Sequence, residues 1–194
     1  MRGTLIAALI DDAGRLHPVD AKRVFATGIS NGAIFAHYLA LKLGARIAAI
    51  APVAGGVATE VAATFDPAAP VSVLIINGRD DPLVPFDGGA VAKTHGSIVS
   101  TQRALDLWRA ADGITGEPER REVAATTAGG CGEQWRSWSG GRDGSAVTVV
   151  ALAGGGHTWP GGRQYLPKAI IGAVCTEFDA TRTIWDFFRH HPKP

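Results

Sequence analysis

Residues 24–35, Val-Phe-Ala-Thr-Gly-Ile-Ser-Asn-Gly-Ala-Ile-Phe, leave the backbone few options. A short β-branched and aromatic run passes through Gly28-Ile29-Ser30-Asn31-Gly32 into apolar residues at helical spacing, Ile34, Phe35, Tyr38 and Leu39. A strand, a one-residue hinge and a helix in that order hold a serine hydroxyl out at the tip of a sharp turn. Ser30 must then sit on strained backbone, and side chains at positions 28 and 32 are expected to collide with the neighbouring strand and helix. The helix also aims its first N–H groups at the place where negative charge would develop. The plainer alternative is a strand-to-helix turn whose serine merely caps the helix.

The rest of the chain has the rhythm of a mostly parallel sheet flanked by helices. The helix that starts at Asn31 is expected to stop at Gly44, a C-terminal glycine. Apolar runs at 47–51, 71–76 and 146–152 read as strands, nearly unbroken in apolar character, as in parallel strands covered on both faces. A helix is expected over 97–111, with Ile98, Leu105 and Trp108 on its apolar face and Gly113 as its stop. The last helix starts from Asp179, a good N-cap, and is expected to bury Ile184, Trp185 and Phe188. Residues 121–139 are less legible, and 133–139 read equally as strand or extended loop. No repeat or long linker divides the 194 residues, so one domain is expected.

Composition narrows the classes of function. With 46% hydrophobic and 19% charged residues, the chain has the make-up of an ordered globular protein. A net charge of +1 and the lack of a Lys/Arg cluster argue against nucleic acid as a partner. The apolar run at 5–10 is too short for a signal peptide, ends in Asp11-Asp12 and reads as part of an amphipathic helix closing near Gly14. The stretch 47–63 is broken by Pro52, Gly55-Gly56 and Glu60, so no membrane span is expected. Cys131 and Cys175 lack C-x-x-C spacing, and no metal is expected; a disulfide and two isolated thiols remain equal alternatives.

Functional groups of such sheets gather beyond the carboxyl ends of the strands. After the strand at 71–76 comes Asn77-Gly78-Arg79-Asp80-Asp81-Pro82, and after 146–152 comes Gly154-Gly155-Gly156-His157-Thr158-Trp159-Pro160-Gly161-Gly162. A serine, an acid and a histidine thus lie at one end of the sheet in the order Ser, Asp, His, which the serine hinge of an α/β-hydrolase requires. Taken singly, Asp80 and Asp81 read as turn residues before proline, and His157 as a satisfied loop histidine. His190 and His191 are expected to be solvated, and His17, His37 and His95 have no comparable setting.

Gly28-Ile29-Ser30-Asn31-Gly32, Asp81-Pro82-Leu83-Val84-Pro85 and Gly155-Gly156-His157-Thr158-Trp159-Pro160-Gly161-Gly162 together resemble the polyhydroxybutyrate depolymerase and feruloyl esterase family of α/β-hydrolases. Phe178-Asp179-Ala180-Thr181 and Ile184-Trp185-Asp186-Phe187-Phe188 resemble its closing helix. The resemblance implies a serine esterase with Ser30 as nucleophile, His157 as general base and Asp81 as the acid that orients it. It also implies Asn31 N–H as an oxyanion donor and Trp159 at the substrate cleft or in packing beside it. No cofactor is implied, and the partner is a small or polymeric ester. A related peptidase or dienelactone-type hydrolase, or a catalytically silent remnant, is the alternative.

The chain departs from the family in three ways. The family is usually longer at its N-terminus, with further strands beside the serine strand and a second oxyanion donor. An exposed sheet edge is therefore expected here, covered by self-association or by a missing N-terminal segment. Asn77 stands where the family commonly has His. The family's frequent cysteine pair at Ile114 and near 139–141 is absent.

Overall fold

Nearly continuous apolar runs build the centre of a sheet, and helices with apolar residues at three- to four-residue spacing clothe both its faces. The computed structural model describes residues 2–92 and 96–194, so His95 lies outside the described residues. The elements are α1 (Arg2–Leu16), β1 (Phe25–Ile29), α2 (Asn31–Leu43), β2 (Ala49–Val53), α3 (Thr59–Ala62), β3 (Ser72–Gly78), β4 (Gly89–Ala90), β5 (Ser97–Ile98), α4 (Thr101–Asp112), β6 (Glu119–Val123), β7 (Gly132–Trp138), β8 (Val147–Ala153), α5 (Lys168–Ile171) and α6 (Ala180–His190).

The main sheet has the order β1-β2-β3-β8-β7-β6. The pairs β1–β2, β2–β3 and β3–β8 are parallel, whereas β7 runs antiparallel to β8 and to β6. Alternate residues serve opposite faces. Val73 and Ile75 meet Leu39, Leu105 and Trp108 from α2 and α4, while Leu74 and Ile76 meet Ile184 and Phe188 from α6. Burial of β2 and β3 is complete along their lengths, which is why their sequences hold almost no polar residue. Trp108 is fully buried, and its indole N–H donates to His37 Nδ1 at 3.0 Å. That bond places the histidine's own hydrogen on Nε2, and burial pulls the imidazole pKa down to about 3.

The structure departs from the sequence reading in several places. The α4 helix begins at Thr101, not 97: Ser100 is its N-cap, accepting from Arg103 N–H at 3.1 Å. Ile98 instead belongs to the β4–β5 pair and packs with Val84 and Val91. The second strand starts two residues later than the apolar run suggests, because Ala48 N–H is already paired with Val24 O at 2.8 Å as the chain enters the sheet. Helix α1 runs through Gly14 to Leu16. Gly44 ends α2 in ordinary right-handed backbone (φ −55°), and a Cβ there would lie 2.9 Å from Ala40 O, so close approach is what requires glycine. Trp185 is not buried: it points to solvent between the inward Ile184 and Phe188. The β6–β7 hairpin is hard to read in sequence because β6 is exposed throughout and carries charge where a strand normally alternates.

β1 is one edge of the sheet, and the exposed edge expected beside the serine strand is there. It is only half-buried, with Thr27 exposed, in contrast to its neighbour β2. Phe25 is held by stacking on Phe188 of α6, ring centroids 4.6 Å apart. No described helix is long and apolar enough to cross a membrane.

Candidate active site

Ser30 sits at the junction of β1 and α2 with φ 58° and ψ −119°, a conformation that costs a side-chain-bearing residue about 1–3 kcal/mol. Its N–H is held by Val53 O at 3.0 Å, and its C=O accepts from Ile34 N–H at 3.0 Å, which starts the helix. A Cβ on Gly28 would lie 2.9 Å from the carbonyl carbon of Gly32, so the chain can turn this sharply only without one. Gly32 behaves differently from expectation, since a Cβ there would meet open space. Asn31 opens α2, and its N–H, like the others of a first turn, has no acceptor within the helix.

Next along the rim, Ala54 also takes positive φ (47°), with its N–H on Ile76 O at 2.9 Å. Gly55 then packs so tightly on the serine turn that a Cβ would lie 2.5 Å from Ala33 Cβ and 2.9 Å from Ser30 O. Asn77, at the end of β3, grips that glycine from the other side. Its Oδ1 accepts from Gly55 N–H at 3.2 Å, and its Nδ2 donates to Gly55 O at 3.1 Å and to Thr101 Oγ1 at 3.0 Å. The amide thus satisfies both the N–H and the C=O of a buried glycine. In sequence Asn77 stands out only as a departure from the family; a lone amide ending an otherwise apolar strand is the available signal.

The turn after β3 fixes the acid. Asp81 Oδ1 accepts from Leu83 N–H and Val84 N–H, each at 2.8 Å, and Oδ2 lies 2.8 Å from His157 Nδ1. The two side chains are 1% and 5% exposed, so the pair is shielded from water. A carboxylate in this position accepts from an Nδ1–H, and in a neutral imidazole that arrangement leaves the lone pair on Nε2. Asp80 is exposed and takes no part; its N–H donates to Gly155 O at 3.0 Å.

His157 is held by its own backbone. Its N–H donates to Ile171 O at 2.6 Å, and its C=O accepts from Tyr165 Oη at 2.9 Å. Gly156 N–H donates to Ala173 O at 2.8 Å. Gln164 fastens the returning segment by donating to Leu166 O and Gly172 O and accepting from Val174 N–H. Gly78 lets this loop lie on the end of β3: a Cβ there would come within 2.1 Å of Gly155 O. Cys131 and Cys175 form a disulfide behind the loop, resolving the alternative left open by the sequence. Residue composition alone could not show that the start of β7 and the segment before α6 would meet there.

Ser30, Asp81 and His157 all lie just past the carboxyl ends of parallel strands of one sheet, β1, β3 and β8. Asp81 and His157 are bonded; among the described residues no hydrogen bond joins Ser30 to His157. Trp159 turns away to α6, donating from Nε1 to Thr181 Oγ1 at 3.0 Å and packing against the core on that face. Trp159 is half-buried there, so part of its surface stays open to solvent. The other histidines stand apart. His17 and His190 are exposed, and His191 is half-buried against Phe187, ring centroids 4.1 Å apart, rather than solvated. Among the described residues there is no cluster of His, Cys, Asp or Glu fit to hold a metal ion.

No family model matches the chain. It is 31% identical over 191 residues to "Putative esterase NocK" of Nocardia uniformis subsp. tsuyamanensis, covering 93% of this chain and 55% of that protein. It is 31% identical to "Feruloyl esterase B" of Piromyces equi, covering 75% of this chain and 27% of that one. With "Feruloyl esterase C" of Emericella nidulans it shares 30% identity, over 73% of this chain and 50% of that one. The chain therefore spans about half the length, or less, of these curated relatives. In fold it is similar to an acetyl xylan esterase from Aspergillus awamori, with a TM-score of 0.52 at 16% identity, over 80% of this chain and 62% of that one.

Proposed function

The chain is a homologue of esterases and has the α/β-hydrolase fold, and on that premise we propose that it is a serine carboxylic-ester hydrolase working through an acyl-enzyme. One observation carries the proposal: a buried, hydrogen-bonded His157–Asp81 pair shares the strand-end rim with a serine on strained backbone at a helix N-terminus. In this reading His157 Nε2 takes the proton from Ser30 Oγ as the oxygen attacks the ester carbonyl, then returns it to the departing alkoxide. Asp81 keeps Nδ1 protonated and balances the imidazolium that forms. Asn31 N–H, at the positive end of α2, donates to the oxyanion. Water then repeats the sequence on the acyl-enzyme.

Two of the relatives are named feruloyl esterases, which favours hydroxycinnamoyl esters as the substrate class; polyhydroxyalkanoate and simple short-chain esters are the further candidates. Hydrolysis of 4-nitrophenyl butyrate by wild type and Ser30→Ala tests the proposal. The three residues act as a unit, so the variant should lose about 10⁴–10⁶ in kcat. Equal rates would leave only a silent relative of the esterases. Parallel assays on methyl ferulate and hydroxybutyrate oligomers rank the substrate classes.

A further inference from the structure

On the α4 side of the β6–β7 hairpin lies a groove of about 350 Å³ to which Arg79, Arg120 and Arg136 all contribute. The charge arrangement there is unfavourable for an empty groove. Arg120 and Arg136 are direct cross-strand partners, a placement in which like charges destabilise a sheet. Arg79 reaches across from the end of β3 and donates from Nε and a terminal nitrogen to Gln134 Oε1, at 3.2 and 2.7 Å. Arg136 donates to Gln102 Oε1 at 2.7 Å. Both guanidinium groups are therefore aligned by neutral amides, and among the described residues neither forms an ion pair with a carboxylate.

The carboxylates nearby are few. Glu117 lies 3.5 Å from Arg120 with both side chains largely in water, Asp106 lies 3.8 Å from Arg109, and Glu122 lines the groove. Partial burial, and then the charges of Arg120 and Arg79, pull the Arg136 pKa down from its ordinary value; Asp106 opposes this and Arg109 adds to it. Phe86 completes one wall, with the Arg79 guanidinium stacked 4.7 Å above its ring. Stacking and amide bonds fix the planes of the guanidinium forks before any ligand arrives.

We propose that this groove binds an oxyanion, a carboxylate or phosphate group, through the forks of Arg79, Arg120 and Arg136. Planar guanidinium groups match the paired oxygens of such anions, and an anion between them removes the mutual repulsion that the fold otherwise carries. The site is separate from the Ser30, Asp81 and His157 side chains and does not depend on their chemistry.

Thermal unfolding of the wild-type chain in rising phosphate, succinate or chloride at constant ionic strength tests the proposal, with Kd measured calorimetrically for phosphate and succinate. The wild-type Tm should climb with the logarithm of phosphate or succinate concentration beyond the chloride reference. The better of the two names the ligand class. Arg136→Gln and Arg120→Gln should each raise Kd at least tenfold, while Arg182→Gln, on an exposed helix position outside the groove, should leave it unchanged. Because Arg120 is exposed on the sheet's other edge strand, its variant retains the fold even if the Arg136 variant does not. Neither anion exceeding chloride, or Arg120→Gln binding as tightly as wild type, would overturn the proposal.

Discussion

Removing the disulfide offers a quantitative test of how the histidine loop is supported. Cys131 and Cys175 are separated by 44 positions and are 5% and 0% exposed. Closing a loop of that length restricts the unfolded chain by an entropy equivalent to about 4 kcal/mol at room temperature. That is a large share of the roughly 5–15 kcal/mol by which a domain is stable. The effect should extend to the site. Cys175 O accepts from Gly161 N–H at 2.8 Å, and a Cβ on Gly155 would lie 2.9 Å from Cys175 Sγ, so the bridge backs both ends of the histidine loop. Urea unfolding of wild type and the Cys131→Ala/Cys175→Ala double variant, with ester hydrolysis measured in parallel, is the assay. The double variant should unfold at much lower urea, losing about 4 kcal/mol, and should lose activity before global unfolding. A loss below about 1 kcal/mol, with activity tracking the global transition, would refute this account of loop support.

Four further outcomes are expected from the geometry. Asp81→Asn should lower kcat by about 10⁴ with folding intact, because the amide favours the wrong imidazole tautomer; this magnitude is the one known for serine proteases, and circular dichroism with steady-state kinetics checks it. Gly78→Ala should destabilise by about 1–3 kcal/mol or more by chemical denaturation, since its methyl would press on the backbone of Gly155 rather than on a movable side chain. Asn77→Ala should leave the buried N–H and C=O of Gly55 unpaired at about 1–3 kcal/mol for each group, and should lower kcat by loosening the serine turn. Burial raises the Asp112 pKa to about 6, so the folded state holds this proton more tightly than the unfolded chain. The stability it contributes is complete below about pH 4 and is lost as pH rises through 6, by at most about 3 kcal/mol. Asp112→Asn should therefore gain on wild type between pH 4 and 7; a difference that does not vary with pH would refute the assignment.

The legible parts of this chain are those governed by short-range rules. Strain at Ser30, the capping of α6 by Asp179, and the fully buried, largely apolar β3 each arise from residues within a few positions of one another. Strand ends then order Ser30, Asp81 and His157 along one rim without any knowledge of distances. The hidden parts depend on partners far along the chain. Trp185 and Phe188 look alike to a helical pattern, and only the position of β1 decides that Phe188 meets Phe25 while Trp185 faces water. The start of α4 is misplaced in the sequence because Ile98 is apolar in either reading, and its pairing with Gly89 and Ala58, both distant in the chain, makes it a strand residue. Gly32 lacks the steric role that the motif suggests for it. Trp159 sits beside the candidate base in sequence, and its indole bond to Thr181 of α6 depends on a partner 22 positions away. The charged β6 carries no strand signal of its own and becomes a strand by pairing with β7.

Covalent capture of the nucleophile tests the central claim most directly. The wild-type chain should react with diethyl 4-nitrophenyl phosphate to gain a single diethylphosphoryl group, mapped by peptide mass spectrometry to Ser30, and replacing His157 with Ala should nearly abolish the reaction. Modification of a different residue, or none in a folded wild-type chain, would contradict the assignment of Ser30 as a nucleophile activated by the buried His157–Asp81 pair.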